Sequence, residues 1–182
     1  MVLDAIEQCL ELSVGNLPTI NGRSLVLTDN SGSAHGNPVS EMSSMTVAQI
    51  GNLMGVLTGK ISDEGMLGVF GDRLKEFQIR KRASIMDQTN DANRIGRGIG
   101  GGTENGIWLA LDQAIKHKEH WDNIFVYSDM QAGHGGLFGE NSREYRDYIW
   151  SGNGYGNRYI DVPKLIREYR LKVNAKVNVF LV

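Results

Sequence analysis

The sequence has few features that would link the chain to an oxidising compartment, a membrane or nucleic acid. Its one cysteine, Cys9, excludes an internal disulfide and indicates a reducing compartment. No stretch has the apolar length needed to span a bilayer, and the amphipathic start lacks the basic region of a signal peptide. The net charge of −2 disfavours a general nucleic-acid binder. We therefore expect a soluble, cytoplasmic protein that does not enter a membrane.

Glycine, in contrast, is abundant. The 182 residues include 23 glycines, whereas the apolar share of 41% and the charged share of 22% are ordinary for globular proteins. The length suits one domain with one hydrophobic core. A glycine excess in such a domain indicates many tight loops, and binding residues are concentrated on loops.

The apolar pattern predicts helices alternating with strands. Helical spacing occurs in four segments, at 2–12, 47–57, 107–115 and 161–169. Short apolar runs predict strands at 24–28, 66–70, 124–127 and 177–182, and strict alternation predicts an edge strand at 74–79. Residues 80–102 are polar and end in a glycine-rich run, which predicts a loop. Ser43 or Ser44 is the expected cap of the second helix.

This order of elements predicts an α/β fold of the Rossmann-like, doubly wound type. We expect a mainly parallel sheet with one antiparallel edge strand and with helices on both faces. Residues 1–16 are expected to form an N-terminal helix, and residues 17–182 the main domain. The last predicted strand has the composition of a core strand, which suggests a domain truncated after its fifth main strand.

Polar residues follow the predicted strands at the edge where ligands of open parallel sheets bind. They are Asp29, Ser31 and Ser33 after the first strand, Thr103 after three glycines, and Asp129 at the end of a later strand. Each pattern taken singly is more typical of a turn, a helix cap or a strand end. Their occurrence together, in order, favours one shared site.

Hydroxyl and carboxylate oxygens are the ligands of a small, hard cation. We therefore predict that Mg²⁺, or else Mn²⁺ or Ca²⁺, binds at these five residues. The absence of soft ligands from the set disfavours Zn²⁺. So few protein charges would leave one coordination position free for an acidic group of a partner. His35, Glu104 and His134 are expected at the rim of this site.

The pattern D-x-S-x-S at residues 29–33, followed by Thr103 and Asp129, resembles the metal-ion-dependent adhesion site of von Willebrand factor A domains. Segments 4–33, 124–136 and 165–182 are similar to the A domain of the Ro autoantigen (TROVE) family. The resemblance implies the A-domain fold and those five residues as the metal site. It also implies that residues 1–16 join an upstream ring of helical repeats, the main RNA-binding element, which this chain lacks. Asn30 and Ala34 depart from the family motif, which usually has an apolar residue and a methionine there.

Several functions are compatible with this pattern. The first is a binding module whose cation recruits an acidic group from a partner protein or from RNA, without catalysis. The second is a metal-assisted phosphoester hydrolase, although no catalytic signature accompanies the site. The cation could also serve only to brace the loops. RNA contact through the basic residues Arg80, Lys81 and Arg82 is a further alternative, although such a run is more typical of a solvated face.

Overall fold

The computed structural model of the chain describes residues 2–101, 107–128, 149–151 and 158–182. Within these residues the helices are Val2–Gly15 (α1), Gly32–Gly36 (α2), Val47–Ile61 (α3), Ile85–Gly96 (α4), Ile107–His117 (α5) and Val162–Lys172 (α6). The strands are Ile20–Asp29 (β1), Ser62–Phe70 (β2), Leu74–Gln78 (β3), Asn123–Tyr127 (β4), Ile149–Ser151 (β5), Arg158–Ile160 (β6) and Asn178–Leu181 (β7).

Five of these strands form one sheet in the order β3-β2-β1-β4-β7. The central strand β1 is parallel to β2 and β4, β7 is parallel to β4, and β3 is antiparallel to β2 at the edge. Strands β5 and β6 pair separately as an antiparallel ribbon. The predicted fold class is confirmed, including the antiparallel edge strand.

The central strand separates two apolar clusters because successive side chains of a strand point to opposite faces. Leu25 and Leu27 lie in the cluster that includes α5 and α6, and Val26 lies in the cluster that includes α3 and α4. All three side chains are buried. Helices therefore cover both faces of the sheet. Asp29, the last residue of β1, lies at the carboxyl end of this central strand.

Helix α3 confirms the predicted helix but buries a different face from the one that its large apolar residues indicated. The buried positions include Ala48, Asn52 and Val56, whereas Met54 remains partly exposed. Small residues allow the helix to approach the sheet closely, since a Cβ on Gly55 would lie 2.6 Å from the side chain of Thr28. The predicted cap at Ser43 or Ser44 was wrong, because Thr46 forms a capping box with Gln49.

Helix α4 lies inside the segment that was predicted to be a loop, so that prediction was wrong. The helix buries Ile85, Gln88 and Ala92 on one side, and its other positions are mostly polar. Ser84 caps it by accepting a hydrogen bond from the backbone N–H of Asp87 at 3.0 Å. The Ser-x-x-Asp spacing is a helix-start signal that the polar composition obscured.

Helix α1 packs on the outer side of α3 and α4. Its Leu10 and Val14 contact the apolar cluster of that face. The Glu7 carboxylate accepts the first backbone N–H groups of α4, from Ile85 at 2.7 Å and from Met86 at 3.2 Å. None of the helices in the described ranges combines the length and apolarity needed to cross a membrane.

The final strand, β7, lies at a sheet edge in the described part of the chain. Phe180 is 44% exposed and Leu181 is 60% exposed. The Phe180 ring stacks on Phe125 of β4, with 4.7 Å between ring centroids. The apolar residues of β7 are thus only half covered.

Candidate metal centre

Asp29 connects the loop after β1 with the end of β4. Its side chain is buried, because the residue is only 2% exposed. Oδ1 accepts a hydrogen bond from the backbone N–H of Ser31 at 2.8 Å, and Oδ2 accepts one from the Ser128 hydroxyl at 2.8 Å. Ser128 follows β4 directly and precedes Asp129. Two of the three loops that were predicted to meet are therefore in direct contact.

The glycine-rich loop approaches the same place through its backbone. The N–H of Gly32 donates to the carbonyl oxygen of Gly101 at 2.8 Å. A Cβ on Gly32 would lie only 3.3 Å from that oxygen, so a larger residue would press the two loops apart. Gly101 is two positions before Thr103. Thr103 and Asp129 themselves lie outside the described residues.

The two serine hydroxyls of the first loop lie side by side. Ser31 is the N-cap of the short helix α2, where its Oγ accepts the N–H of Ala34 at 3.5 Å. The hydroxyls of Ser31 and Ser33 form a hydrogen bond, with 3.1 Å between their Oγ atoms. Neighbouring ligands of an octahedral Mg²⁺ ion, each about 2.1 Å from the metal, are about 3.0 Å apart, whereas the longer bonds of Ca²⁺ require about 3.3–3.7 Å. The hydroxyl pair therefore fits an ion of the size of Mg²⁺ or Mn²⁺.

Asp29 lacks a cationic partner among the residues that the structure describes. Its two hydrogen bonds offset part of the desolvation of the carboxylate, but no lysine, arginine or histidine there forms an ion pair with it. A buried ionised carboxylate is stabilised by hydrogen bonds, such as these two, and further by a nearby counter-charge. A divalent cation would supply that charge, and oxygen donors suit such a cation.

A group of three asparagines behind this loop, two of them buried, was not predicted from the sequence. The side chains of Asn30 and Asn52 hydrogen-bond to each other, and Asn52 also donates to Asn93 of α4 at 2.8 Å. Asn30 and Asn52 are 0% exposed. The available signals were the polar residue at the second position of the D-x-S-x-S motif and the lone amide on the small-residue face of α3.

The predicted rim residues are only partly described. His35 lies on α2, and its Nε2 atom is buried without a hydrogen-bond partner among the described residues. Glu104 and His134 lie outside the described residues. Among the described residues, no three His, Cys, Asp or Glu side chains form a cluster that could hold a metal ion. The described donors of the candidate centre are therefore one carboxylate and two hydroxyls.

The basic residues Arg80, Lys81 and Arg82 lie near the end of the sheet where the parallel strands begin, opposite to the end where Asp29 lies. The Lys81 ammonium donates to the backbone carbonyl oxygens of Lys60 and Ser62, where β2 begins. Strand β2 then runs to the edge that carries Asp29, a span of roughly 26 Å at 3.3 Å per residue. Lys81 thus binds the chain that follows β3 to the start of β2. Within the described ranges, the side chains of Arg80 and Arg82 form no such internal hydrogen bonds.

An apolar groove adjoins the candidate centre. It is bounded by Asp29 and Ser128 on one side, and its apolar walls are Val39, Val47, Ile50, Met54, Tyr127 and Val182. The sequence contains no lysine or arginine from residue 24 to residue 59. The described surface next to Asp29 is therefore mainly apolar and carries no positive side chain from that segment.

Comparison with known proteins identifies a shared fold. No protein-family model matches the chain, and no curated protein matches its sequence. The Ro (RSR) protein of Deinococcus radiodurans is similar in structure, with a TM-score of 0.65 and 18% sequence identity over 99% of this chain. The match covers 31% of that protein. The chain thus has the fold of about one third of a Ro protein.

Proposed function

We propose that the chain is a cation-dependent binding module of the von Willebrand factor A type, related to Ro proteins. Asp29, Ser31 and Ser33 would hold Mg²⁺, or else Mn²⁺ or Ca²⁺, together with Thr103 and Asp129. The open coordination position would take an acidic group of a partner. The 3.1 Å separation of the two serine hydroxyls beside a buried carboxylate is the observation that carries this proposal.

The surroundings of the centre favour a protein as the partner. Binding to nucleic acid draws most of its affinity from lysine and arginine contacts to phosphates. The groove beside Asp29 is apolar instead, and no lysine or arginine occurs between residues 24 and 59. A protein segment with a carboxylate next to an apolar side chain would suit both features.

The relation to Ro proteins rests on two likenesses, one of sequence motifs and one of fold. The sequence motifs resemble the A domain of the Ro family, and the fold is similar to part of the Deinococcus protein. In a Ro-type protein, we propose, RNA binds mainly through the repeat ring, and this domain serves interaction with a partner. Arg80 and Arg82 are the residues of this chain that would contribute to RNA contact.

We propose binding rather than hydrolysis. Metal-assisted hydrolysis of a phosphoester needs a general base or a second metal near the first. No recognisable catalytic signature accompanies the proposed metal ligands in the sequence. The carboxylates and hydroxyls of the proposed centre provide the cation with ligands, and the open coordination position attracts an acidic group of a partner.

Isothermal titration of the chain with MgCl2 and MnCl2 tests the metal centre. We expect one bound ion per chain and at least a tenfold weaker affinity in Asp29→Asn, because that change removes the buried negative charge and preserves the size of the side chain. Asp63→Asn is the matched control, since Asp63 also accepts a backbone N–H, from Gly22 at 2.7 Å. Asp63 lies on β2 beside the start of β1, far from the proposed centre at the end of β1. Its affinity should equal that of the unaltered chain. Absence of binding by the unaltered chain, or equal effects of the two substitutions, would contradict the proposal.

A further inference from the structure

We infer that Asn52, on helix α3, is a positioning residue for the proposed metal centre and acts through Asn30. This inference rests on the proposed function, because it concerns the geometry of the same centre. Asn52 is 22 positions away from Asn30 in the chain and is not expected to touch the ion. Its role would be to fix the direction in which the chain leaves β1 between Asp29 and Ser31.

The two amides form a reciprocal pair. Nδ2 of Asn30 donates to Oδ1 of Asn52 at 2.9 Å, and Nδ2 of Asn52 donates to Oδ1 of Asn30 at 2.9 Å. Two antiparallel hydrogen bonds between planar amides fix both side-chain orientations. Because both residues are 0% exposed, water does not compete for these groups.

Asn52 uses its complete hydrogen-bonding capacity in this arrangement. Its Oδ1 also accepts the Thr28 hydroxyl at 2.8 Å, and its second N–H donates to Oδ1 of Asn93 at 2.8 Å. An asparagine amide has two donors and two acceptor positions, and all four are occupied here. Asn52 therefore ties the end of β1 to α4 while it holds Asn30.

Asn30 has little freedom to adopt another position. Its backbone N–H donates to the carbonyl oxygen of Phe70 at 2.7 Å, and its side-chain N–H also donates to that of Thr28 at 3.2 Å. A Cβ on Gly96, the last residue of α4, would lie 2.0 Å from Oδ1 of Asn30. The amide is thus enclosed by β1, α3 and α4.

The position of Asn30 matters because its two neighbours are proposed metal ligands. A bound metal tolerates deviations of only about 0.2 Å in its ligand distances. Loss of the amide pair would leave the buried Asn30 amide without its main partner and let the loop move to satisfy it. A shift of a few tenths of an ångström at Asp29 or Ser31 would then weaken cation binding although no ligand has been removed.

The test compares Asn52→Leu with Gln88→Leu. Gln88 is also a buried helical amide, and it bonds the backbone of Arg80 from α4, away from the metal centre. Titration with Mg²⁺ should give at least a tenfold weaker affinity for Asn52→Leu, as expected for residues that orient metal ligands. For Gln88→Leu we expect less than a twofold change, even though its melting temperature in EDTA should fall as well.

A double variant separates the effect of Asn52 on the position of the metal ligands from its effect on the stability of the fold. In Asn30→Val/Asn52→Leu both amides are replaced by apolar side chains, so the Asn30 amide that Asn52→Leu leaves unsatisfied is no longer present. We expect its melting temperature in EDTA to exceed that of Asn52→Leu. Its Mg²⁺ affinity should stay low, because a valine at position 30 forms no hydrogen bond that orients the loop among the polar groups of Thr28 and Asn93, although the A-domain motif usually has an apolar residue there. The double variant also provides the measurement should Asn52→Leu fail to fold.

The outcomes distinguish this inference from the proposed function. Normal Mg²⁺ affinity in Asn52→Leu or in the double variant would overturn the positioning role and leave the metal centre intact. Equal losses in Asn52→Leu and Gln88→Leu would also overturn it, because general destabilisation would then explain both. Absence of binding by the unaltered chain would overturn the metal centre and the positioning role together.

Discussion

At the scale of single residues, glycines determine how closely the loops of the candidate centre approach one another. Gly100 has a φ angle of +92°, and a Cβ on it would lie 1.9 Å from the carboxylate of Asp72. Residues other than glycine rarely adopt such an angle. Two residues further on, the chain enters the segment that contains Thr103. The route of the glycine-rich loop towards Asp29 therefore depends on a missing side chain.

We predict that Gly100→Ala lowers the free energy of unfolding by more than about 1 kcal/mol, because it combines an unfavourable φ angle with a steric clash. Gly98→Ala is the matched control in the same loop. The atoms nearest to a Cβ there are backbone oxygens at 3.6 and 3.9 Å, which are ordinary contact distances. Urea unfolding should leave Gly98→Ala within about 1 kcal/mol of the unaltered chain. Equal stabilities of the two variants would show that the Gly100 backbone is free to relax.

Only some residues of the candidate centre could be predicted from the sequence. Asp29, Ser31 and Ser33 lie within one short loop, so their spacing in the sequence already places them together. Asn52 reaches the same loop from another helix, and only the packing of α3 against β1 brings it there. Its contact with Asn30 depends on tertiary structure, which local spacing does not encode.

At the scale of elements, α4 illustrates a helix that is stabilised from a distance. Its first two backbone N–H groups have no acceptor within the helix, as at any helix start. The Glu7 carboxylate of α1 accepts both, across 78 positions of sequence. A negative charge at this end is also favoured by the helix dipole. The packing of α1 and the start of α4 are therefore mutually dependent.

We expect Glu7→Ala to reduce the free energy of unfolding by about 0.5–2 kcal/mol, the usual cost of removing a group that caps a helix start. Glu7→Gln keeps one acceptor oxygen and should lose less. Hydrogen exchange should localise the effect, with faster exchange at the amides of Ile85 and Met86 and little change at Gln49 on α3. Unchanged exchange at these two amides in Glu7→Ala would mean that water or Ser84 replaces the carboxylate.

Four strands of the main sheet were predictable because each is a short apolar run, and β3 was predictable because its residues alternate, whereas β5 and β6 were not predicted. Helix α4 was missed because its exposed side is strongly polar and part of its cap is remote in sequence. The buried face of α3 was misjudged for a different reason. Glycine and alanine allow close packing on the sheet, so size and not hydrophobicity decides which side of the helix faces inward.

At the scale of the whole molecule, the alternation of strands and helices was sufficient to predict the fold class. A parallel sheet with a central β1 collects the ends of several strands at one edge, and for that reason Asp29 and Ser128 meet there. The same topology sends the chain after β3 to the opposite edge, where Arg80 and Arg82 lie.

The location of a bound ion tests the central claim most directly. We propose crystals of the chain grown with MnCl2, with anomalous differences measured at the manganese absorption edge. The account predicts one strong peak within about 2.3 Å of both the Ser31 and the Ser33 hydroxyl oxygens, beside the Asp29 carboxylate. A peak elsewhere in the chain, or ordered hydroxyls and carboxylate at this edge without any anomalous density, would contradict it.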